Sequence, residues 1–573
     1  MSKMRRGMIS LRRYSLAEFG ILLAIWCVII FIVNPVGEFM VNDDWAFVKA
    51  LESFKEGTYT TTTGWGPSHA PGGPALITHL LWGLAWSSVF GYSLTVVRLS
   101  VLALGILGSL AMLVLLRLSG ASRRLAFYGT LTFVLNPLFL SQCFTFMTDV
   151  TFTSFAIFSV LFLQMGLEKM SQTLVGFGLL FALLSILTRQ IGIVIPVGFV
   201  AACLVHPSGK ELGRLRTLFL TVFIILIPWM TYEFCLAGLG ATPLTKHLVI
   251  HNILDFPRAK GFPDYLVFLG GQLLFAGSYT GFLVSPVLGL RYNQYLKLKL
   301  FKYFLMTFTA GFLIFEAALL AGVISPRPGF YPNVIFDFGI GPILLKDTYI
   351  LHIQRTQSLP GPLFYLLVYW AWLGMVVMVG LMISSLKRLF TSNRAEALSI
   401  NFLSAFTLLM GIAYVGIIAV TGFHDRYLIP VFAFAILWLV ADMPDRHTFH
   451  FGRWKSLPAV VSLALIAFFS VTGTRDFMEM KRSLKKAHDY LISDLKVNPC
   501  NTDGGFEFNG YHCYKKGLIS KTGNSWWWVE KEDYLVSLGP LPGYRTIQTY
   551  PFERYMGPDG AVHILQPFGA DVQ

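Results

Sequence analysis

Long apolar runs recur along this chain, and they constrain its fold more than any other feature. A helix needs about 20 consecutive apolar residues to cross the hydrocarbon core of a bilayer, and many runs approach that length. Only 13% of the 573 residues are charged, about half of the rough quarter that soluble domains carry. The sequence predicts a polytopic α-helical membrane protein with about thirteen transmembrane helices, at residues 16–36, 93–117, 125–143, 150–167, 172–188, 191–205, 217–237, 265–290, 303–323, 362–386, 398–421, 428–441 and 457–473.

The distribution of Lys and Arg predicts the orientation of these spans. Basic residues are concentrated in short segments that the alternation of spans places on one side, and cytoplasmic loops carry such an excess. These segments are residues 1–15, 117–124, 168–171, 206–216, 291–302, 387–394 and 442–455. We therefore expect the N-terminus in the cytoplasm and the C-terminus outside. The net charge of +14 reflects this bias, and no nucleic-acid partner is expected.

The chain divides into a membrane part and a polar C-terminal part. Residues 1–473 are predicted to form the transmembrane domain, with long outer loops at 37–75 and 324–361 that are rich in turn-forming residues. Residues 474–573 are long enough for a small soluble domain, which we predict to be mixed α/β and extracytoplasmic. In an oxidising compartment its two cysteines, Cys500 and Cys513, are candidates for a disulfide.

Two acidic motifs follow predicted spans on the outer side. Asp43 and Asp44 come a few residues after the first span, and Asp149 lies in a short turn between two apolar runs. Ionisable groups next to membrane spans are costly, which makes them candidates for function. Adjacent carboxylates suit a general base or a divalent cation. The alternative is structural, since acids also stabilise helix N-termini and cap them.

Basic and histidine side chains lie on the same predicted side. Arg426 and His424 enter the span at 428–441, and Arg189 lies between two short apolar runs. A guanidinium suits a phosphate or a carboxylate, and a histidine can donate a proton. Interfacial anchoring is the alternative for both arginines. His69, in a Gly/Pro-rich loop, is a candidate substrate contact or a solvated loop residue.

Nucleotide-binding motifs are missing from the sequence. It contains neither a phosphate loop of the G-x-x-x-x-G-K-[ST] type nor a G-x-G-x-x-G fingerprint, and the outer face of a membrane has no ready supply of nucleotides. Carboxylates for base chemistry and cations for an anion therefore favour a membrane-held phosphate donor.

The order of these motifs resembles the GT-C superfamily of integral-membrane glycosyltransferases, which take sugars from polyprenyl-phosphate carriers. Within it, the chain is most similar to the bacterial relatives of protein O-mannosyltransferases and of lipid A aminoarabinose transferase. The matching elements are Asp43-Asp44, the prolines from Pro71 to Pro74, Arg98-Leu99-Ser100, Asn136-Pro137, Met147-Thr148-Asp149 and the stretch from Asp425 to Pro430. Asp44 replaces the Glu that the family often has, and Ser68-His69 replaces a Glu-Lys-type pair of the aminoarabinose branch.

The resemblance implies an inverting transfer of a hexosyl or pentosyl group to an acceptor hydroxyl at the outer face of a bacterial inner membrane. Asp43 would be the base, and Asp44 would assist it or help to hold a divalent cation, Mg²⁺ or Mn²⁺. Asp149 would hold the sugar or the acceptor. Arg426, with His424 or Arg189, would neutralise the departing lipid phosphate. The acceptor would be a lipid, a glycan or a protein.

Two other functions remain open at this level. A flippase for lipid-linked sugars, or a solute transporter, would also be polytopic, although transporters place their charged groups near the bilayer midplane. A membrane scaffold whose tail binds a partner is suggested by the run Trp526-Trp527-Trp528. The bland interpretation of that run is burial in the core of the tail.

Overall fold

The structure is a computed structural model. It describes residues 16–57, 76–207, 225–238, 251–255, 257–258, 261–291, 333–336, 339–355, 360–391, 399–450, 456–514 and 527–568, with single residues at 306, 309, 310, 313, 317, 393, 452 and 525. The predicted spans at 217–237 and 303–323 fall wholly or partly outside these residues, as do the prolines at 71–74 and His69.

The described residues are mainly helical. Their helices are α1 Leu16–Val33, α2 Asp44–Lys55, α3 Ile77–Phe90, α4 Leu94–Leu118, α5 Arg123–Val134, α6 Pro137–Cys143, α7 Thr148–Lys169, α8 Gln172–Ile186, α9 Val194–Val205, α10 Ile227–Gly238, α11 Phe262–Leu283, α12 Ser285–Leu290, α13 Gly361–Leu389, α14 Phe402–Thr421, α15 Ile429–Ala441, α16 Leu457–Asp489 and α17 Phe506–Cys513. Seven described helices are long and apolar enough to cross a membrane. The chain is therefore an integral, multi-pass membrane protein, and the number of thirteen spans stays a prediction.

Several predicted spans are broken helices rather than continuous ones. The run 125–143 was expected to be one span, but α5 ends at Val134 and α6 starts at Pro137. Asn136 ends the first helix and caps the second, because its side-chain oxygen accepts the backbone N–H of Leu138 at 3.0 Å. Proline at the first position of α6 fits there because it lacks the N–H that would be left unpaired.

The helical bundle has two distinct ends. Described parts of three loops predicted to be cytoplasmic meet at one end, where the N–H of Ser122 donates to the carbonyl of Arg446 at 2.7 Å and Arg388 pairs with Asp442 at 2.8 Å. Described parts of the loops predicted to be outer meet at the opposite end. The alternation of spans therefore groups the loops as the basic residues predict, while the side that faces the cytoplasm stays a prediction.

One helix connects the membrane part to the C-terminal part. α16 runs without a break from Leu457 to Asp489, whereas the sequence predicted a span that ends at residue 473. Asp476, on the continuation of this helix, accepts the backbone N–H groups of Tyr555 and Met556. The C-terminal part is therefore fixed to the end of a membrane helix.

A four-stranded sheet forms much of the described C-terminal part. Its strands are β3 Thr502–Asp503, β4 Tyr534–Ser537, β5 Tyr544–Phe552 and β6 Gly560–Pro567, in the order β3-β4-β6-β5. β3 and β4 are parallel, and the other two pairs are antiparallel. α17 follows β3, and a disulfide joins Cys500 to Cys513 at its end. A two-stranded hairpin, β1 Ile335–Phe336 and β2 Gly339–Ile340, precedes this part in the chain.

Candidate functional site

Asp43 lies in a tight turn at the start of α2. Asn42 adopts a left-handed backbone conformation with φ 56°, which Asn tolerates better than most residues. Asp43 is at the N-cap position but makes no side-chain capping hydrogen bond. Its carboxylate instead accepts a hydrogen bond from Arg426, with 2.7 Å between Oδ2 and Nη2. The two side chains are only 10% and 5% exposed, so the pair is buried.

Asp44 faces a different partner. It is the first residue of α2, and its Oδ1 accepts the backbone N–H of Phe146 at 3.0 Å. Burial raises the pKa of Asp44 to about 7, against the Phe146 hydrogen bond and the charge of Arg98, which lower it. Asp44 therefore joins α2 to the segment before α7, and it titrates near neutral pH.

The raised pKa of Asp44 gives a testable dependence of stability on pH. The folded carboxyl keeps its proton up to about pH 7, whereas the unfolded chain releases it near the ordinary value of 3.8. The contribution of Asp44 to the free energy of unfolding therefore falls as the pH rises through that window. Asp44→Asn keeps an oxygen for Phe146 and removes the ionisation. We expect its melting temperature, relative to wild type, to rise between about pH 4.5 and about pH 8; a constant difference would contradict the raised pKa.

A second buried ion pair lies beside the first. Arg189 Nη2 is 3.0 Å from Asp149 Oδ1, and Arg189 Nε donates to Thr148 Oγ1 at 2.9 Å. Asp149 is the second residue of α7, and the residue at the cap position is Met147. The capping role that the sequence left open for Asp149 is therefore not the one it has.

Tyr427 joins the two pairs. The guanidinium carbons of Arg189 and Arg426 lie 4.8 Å and 5.5 Å from the centroid of its ring, where a ring face attracts a cation. The ring of His424 lies edge-on to the same tyrosine at 5.8 Å. Two arginines, two aspartates and one tyrosine thus form one cluster.

Arg426 has unused hydrogen-bonding capacity. Among the described residues, its Nε and Nη1 have no hydrogen-bond partner although both are buried. Burial lowers the pKa of Arg426, but the charges of Asp43, Tyr427 and Asp149 outweigh it and hold the pKa above its ordinary value. A buried, charged guanidinium with two unpaired donors is suited to a bound anion.

Asp425 has a supporting position rather than a place in the cluster. Its carboxylate accepts the backbone N–H groups of Val334, Ile335 and Arg426 at 2.8 to 3.1 Å. Burial raises its pKa to about 6, against these hydrogen bonds. Asp425 therefore fixes the start of the β1–β2 hairpin next to Arg426.

The structure brings four of the predicted site residues together, namely Asp43, Asp149, Arg189 and Arg426, with Asp44 and His424 next to them. Arg98, which belongs to one of the matching motifs, donates to the backbone carbonyls of Pro35, Gly37 and Phe39. Tyr427 was part of a motif but not predicted as a site residue. No sequence motif predicts the contacts of Asn42 with Glu507 and Asn333.

The donor set of the site is poor for a divalent cation. Hard cations prefer several oxygen ligands converging on one point, whereas Asp43 and Asp44 contact different partners and Asp43 is paired with a guanidinium. Within the described part of the chain, no group of three or more His, Cys, Asp and Glu side chains could hold a metal ion. Asp43 and Asp44 therefore do not form a metal site by themselves.

Comparisons with known proteins were made by sequence and by structure. No family model and no curated protein sequence matches the chain. Among solved structures, it is similar to ArnT from Cupriavidus metallidurans bound to undecaprenyl phosphate, with 14% identity and a TM-score of 0.45, covering 98% of this chain and 100% of that one.

Two further structures are similar over different shares of the chain. The Saccharomyces cerevisiae protein O-mannosyltransferase Pmt1-Pmt2 complex matches with 14% identity and a TM-score of 0.31, over 41% of this chain and 35% of that one. Arabinosyltransferase EmbB from Mycobacterium smegmatis matches with 13% identity and a TM-score of 0.31, over 95% of this chain and 46% of that one.

Proposed function

We propose that the protein is a glycosyltransferase that moves a sugar from a polyprenyl-phosphate carrier to an acceptor hydroxyl at the outer face of the membrane. The observation that carries the proposal is Arg426, a buried guanidinium with two unpaired donors next to the carboxylate of Asp43. An anion-binding group beside a base is what the displacement of a phosphate requires.

Arg426 connects the two halves of the reaction. Its Nη2 is bonded to Asp43, and its Nε and Nη1 are available for an oxygen of the carrier phosphate. As the acceptor hydroxyl attacks the anomeric carbon, its proton passes to Asp43. The bond from that carbon to the phosphate oxygen breaks, and its electron pair stays on the phosphate, where Arg426 neutralises the charge. Attack from the face opposite the phosphate inverts the anomeric centre.

The second pair has supporting roles in this proposal. Both carboxylate oxygens of Asp149 are buried and make no hydrogen bond among the described residues, although Arg189 lies close to one of them. Such oxygens can accept hydroxyl groups of the sugar or the acceptor. Arg189 adds positive charge near the phosphate. The predicted contacts of His424 and His69 with substrate, and an assisting role of Asp44, belong to the same proposal.

The proposed reaction also bears on the location and orientation of the protein. A lipid-linked donor places the protein in a cell membrane, with the acidic and basic cluster on the extracytoplasmic side and the C-terminal part outside. Sequence features suggest a bacterial inner membrane and an acceptor in the cell envelope. The division into a transferase domain at 1–473 and an outer domain at 474–573 is part of the proposal, as are the thirteen spans.

A donor panel tests this function. The protein, purified and reconstituted in liposomes, is given polyprenyl-phosphate sugars labelled in the sugar, with envelope lipids and glycans as acceptors and nucleotide sugars as matched donors. We expect label transfer from a polyprenyl-phosphate donor and none from its nucleotide counterpart. Movement of intact lipid-linked sugar across the bilayer without any transfer would contradict the proposal and favour a flippase.

A further inference from the structure

The turn that carries Asp43 is held by the C-terminal part of the chain. The backbone N–H of Asn42 donates to Glu507 Oε1 at 3.0 Å, across 465 positions of sequence. Glu507 lies in α17, the helix that ends at the disulfide. Residue 42 precedes Asp43 directly, so the position of α17 bears on the position of the proposed base.

Glu507 is itself fixed by a buried cation. Lys481 Nζ lies 2.6 Å from the same oxygen that accepts the Asn42 N–H, and the two side chains are 4% and 10% exposed. A buried carboxylate is stable only with a paired charge and hydrogen bonds. Lys481 is on α16, the helix that begins in the membrane part. A continuous series of contacts therefore runs from a membrane helix through Lys481 and Glu507 to the Asn42 turn.

The Asn42 turn is also held from its other side. The side-chain amide of Asn42 donates to Asn333 Oδ1 at 2.7 Å, and the residues after Asn333 bind the carboxylate of Asp425, the neighbour of Arg426. Asn42 precedes α2 and its N–H therefore has no acceptor within that helix, so the Glu507 carboxylate supplies the acceptor that this N–H needs.

Aromatic side chains pack α17 against the segment that follows the Asn42 turn. Trp45, two residues after Asp43, contacts the rings of Phe506 at 5.7 Å and Trp528 at 5.4 Å. Gly510 of α17 lies directly against the Trp45 indole, where a Cβ atom would collide with the ring. Trp527 is buried in this cluster. These contacts leave α17 little freedom to shift relative to Asp43.

We propose that Glu507, paired with Lys481, is a positioning residue that holds the Asn42 turn so that Asp43 meets the acceptor hydroxyl. The proposal rests on the function proposed above, because it assigns Asp43 the role of base. The C-terminal part is thereby a component of the active site and not a separable binding module. Small displacements of a reacting group cost about 100-fold in rate, so a single hydrogen bond at this point has a large effect.

The test compares two buried Lys–Glu pairs. Glu507→Gln breaks the pair with Lys481, and Glu532→Gln breaks the pair with Lys346, which joins residue 346 to the C-terminal sheet rather than to the Asn42 turn. Both changes should lower the melting temperature. Only Glu507→Gln should lower kcat, by at least about tenfold, because the unpaired Lys481 ammonium then competes with the Asn42 N–H for the one remaining side-chain oxygen. KM for the lipid donor should stay unchanged, because Arg426 and not Asn42 holds the phosphate. Equal losses of kcat in both variants would overturn the proposal.

Two double variants separate positioning from charge. Glu507→Gln with Lys481→Met removes both charges and keeps an oxygen that accepts the Asn42 N–H, whereas Glu507→Leu with Lys481→Met removes the acceptor as well. We expect the first to recover much of kcat and the second to stay low. The same low kcat in both would contradict positioning through the Asn42 hydrogen bond.

Hydrogen exchange gives a readout that does not depend on activity. The amide of Asn42, followed in peptides that cover residues 40–46, should exchange faster in the Glu507→Leu, Lys481→Met variant than in wild type, and at the wild-type rate in Glu532→Gln. Unchanged exchange in the first variant would overturn the proposal. Absence of turnover by the wild type with every donor would instead contradict the proposed function, and the exchange result would still decide whether Glu507 holds the turn.

Discussion

Asp43→Asn is expected to abolish sugar transfer while leaving membrane insertion and donor binding intact. The amide keeps the shape of the carboxylate but cannot take a proton from the acceptor hydroxyl, and loss of a general base lowers a rate by about 100- to 10,000-fold. Because Arg426 loses its counter-charge, its positive charge is no longer neutralised in the absence of the phosphate. Polyprenyl phosphate should therefore bind at least as tightly as to the wild type, in a displacement assay with a labelled carrier.

The control for this variant is an Asp–Arg pair elsewhere in the bundle whose aspartate is buried. Removing one partner of such a pair leaves an unpaired charge and costs about 3 to 5 kcal/mol, so a loss of transfer could reflect instability. Asp442 pairs with Arg388 at 2.8 Å at the opposite end of the bundle. Asp442→Asn should lower the melting temperature comparably and retain transfer. Full transfer by Asp43→Asn, or equal loss in both variants, would contradict the role of Asp43.

Arg426→Lys is expected to lower the rate of transfer and, unlike Asp43→Asn, also to weaken the binding of the carrier. An ammonium keeps the positive charge but lacks the planar, fixed set of N–H donors with which a guanidinium can bind Asp43 and a phosphate oxygen at the same time. Loss of one preorganised donor for a developing negative charge costs about 100- to 1,000-fold in rate, and the affinity for polyprenyl phosphate should fall as well. The measurement is kcat/KM for the donor together with carrier binding.

Arg388→Lys provides the matched control for that variant. Arg388 Nη2 contacts Asp442 as Arg426 Nη2 contacts Asp43, so both changes replace a guanidinium that is paired with an aspartate by an ammonium. Only Arg426→Lys should weaken the binding of the lipid phosphate. Wild-type affinity and rate in Arg426→Lys would show that the two unpaired donors of Arg426 do not bind the carrier.

The grouping of the site residues could be predicted from the sequence because membrane spans alternate in direction. Asp43, Asp149, Arg189 and Arg426 each lie at the end of an apolar run, and the alternation of the runs puts all four ends on one side. The pairing of Asp43 with Arg426 could not be predicted, since 383 positions separate them and several acids could have filled the same place.

Other contacts left no trace in the sequence. Arg98 donates to backbone carbonyls of the segment after α1, and the position of such a segment depends on tertiary packing. The break at Asn136 was hidden within an apolar run whose hydropathy alone suggests one span. Glu507 lies in a region with no recognisable motif, and only the folded chain shows that it reaches Asn42.

The most direct test of the proposed reaction measures the release of polyprenyl phosphate from a labelled polyprenyl-phosphate sugar. The lipid-reconstituted wild type and the Asp43→Asn variant are compared in parallel. We expect the wild type to release polyprenyl phosphate in step with sugar transfer and the variant to release none, while both proteins still bind the carrier. Equal release by the two proteins would contradict the role of Asp43. No release by the wild type with any donor of the panel, while it still binds the carrier, would contradict the proposed transfer reaction.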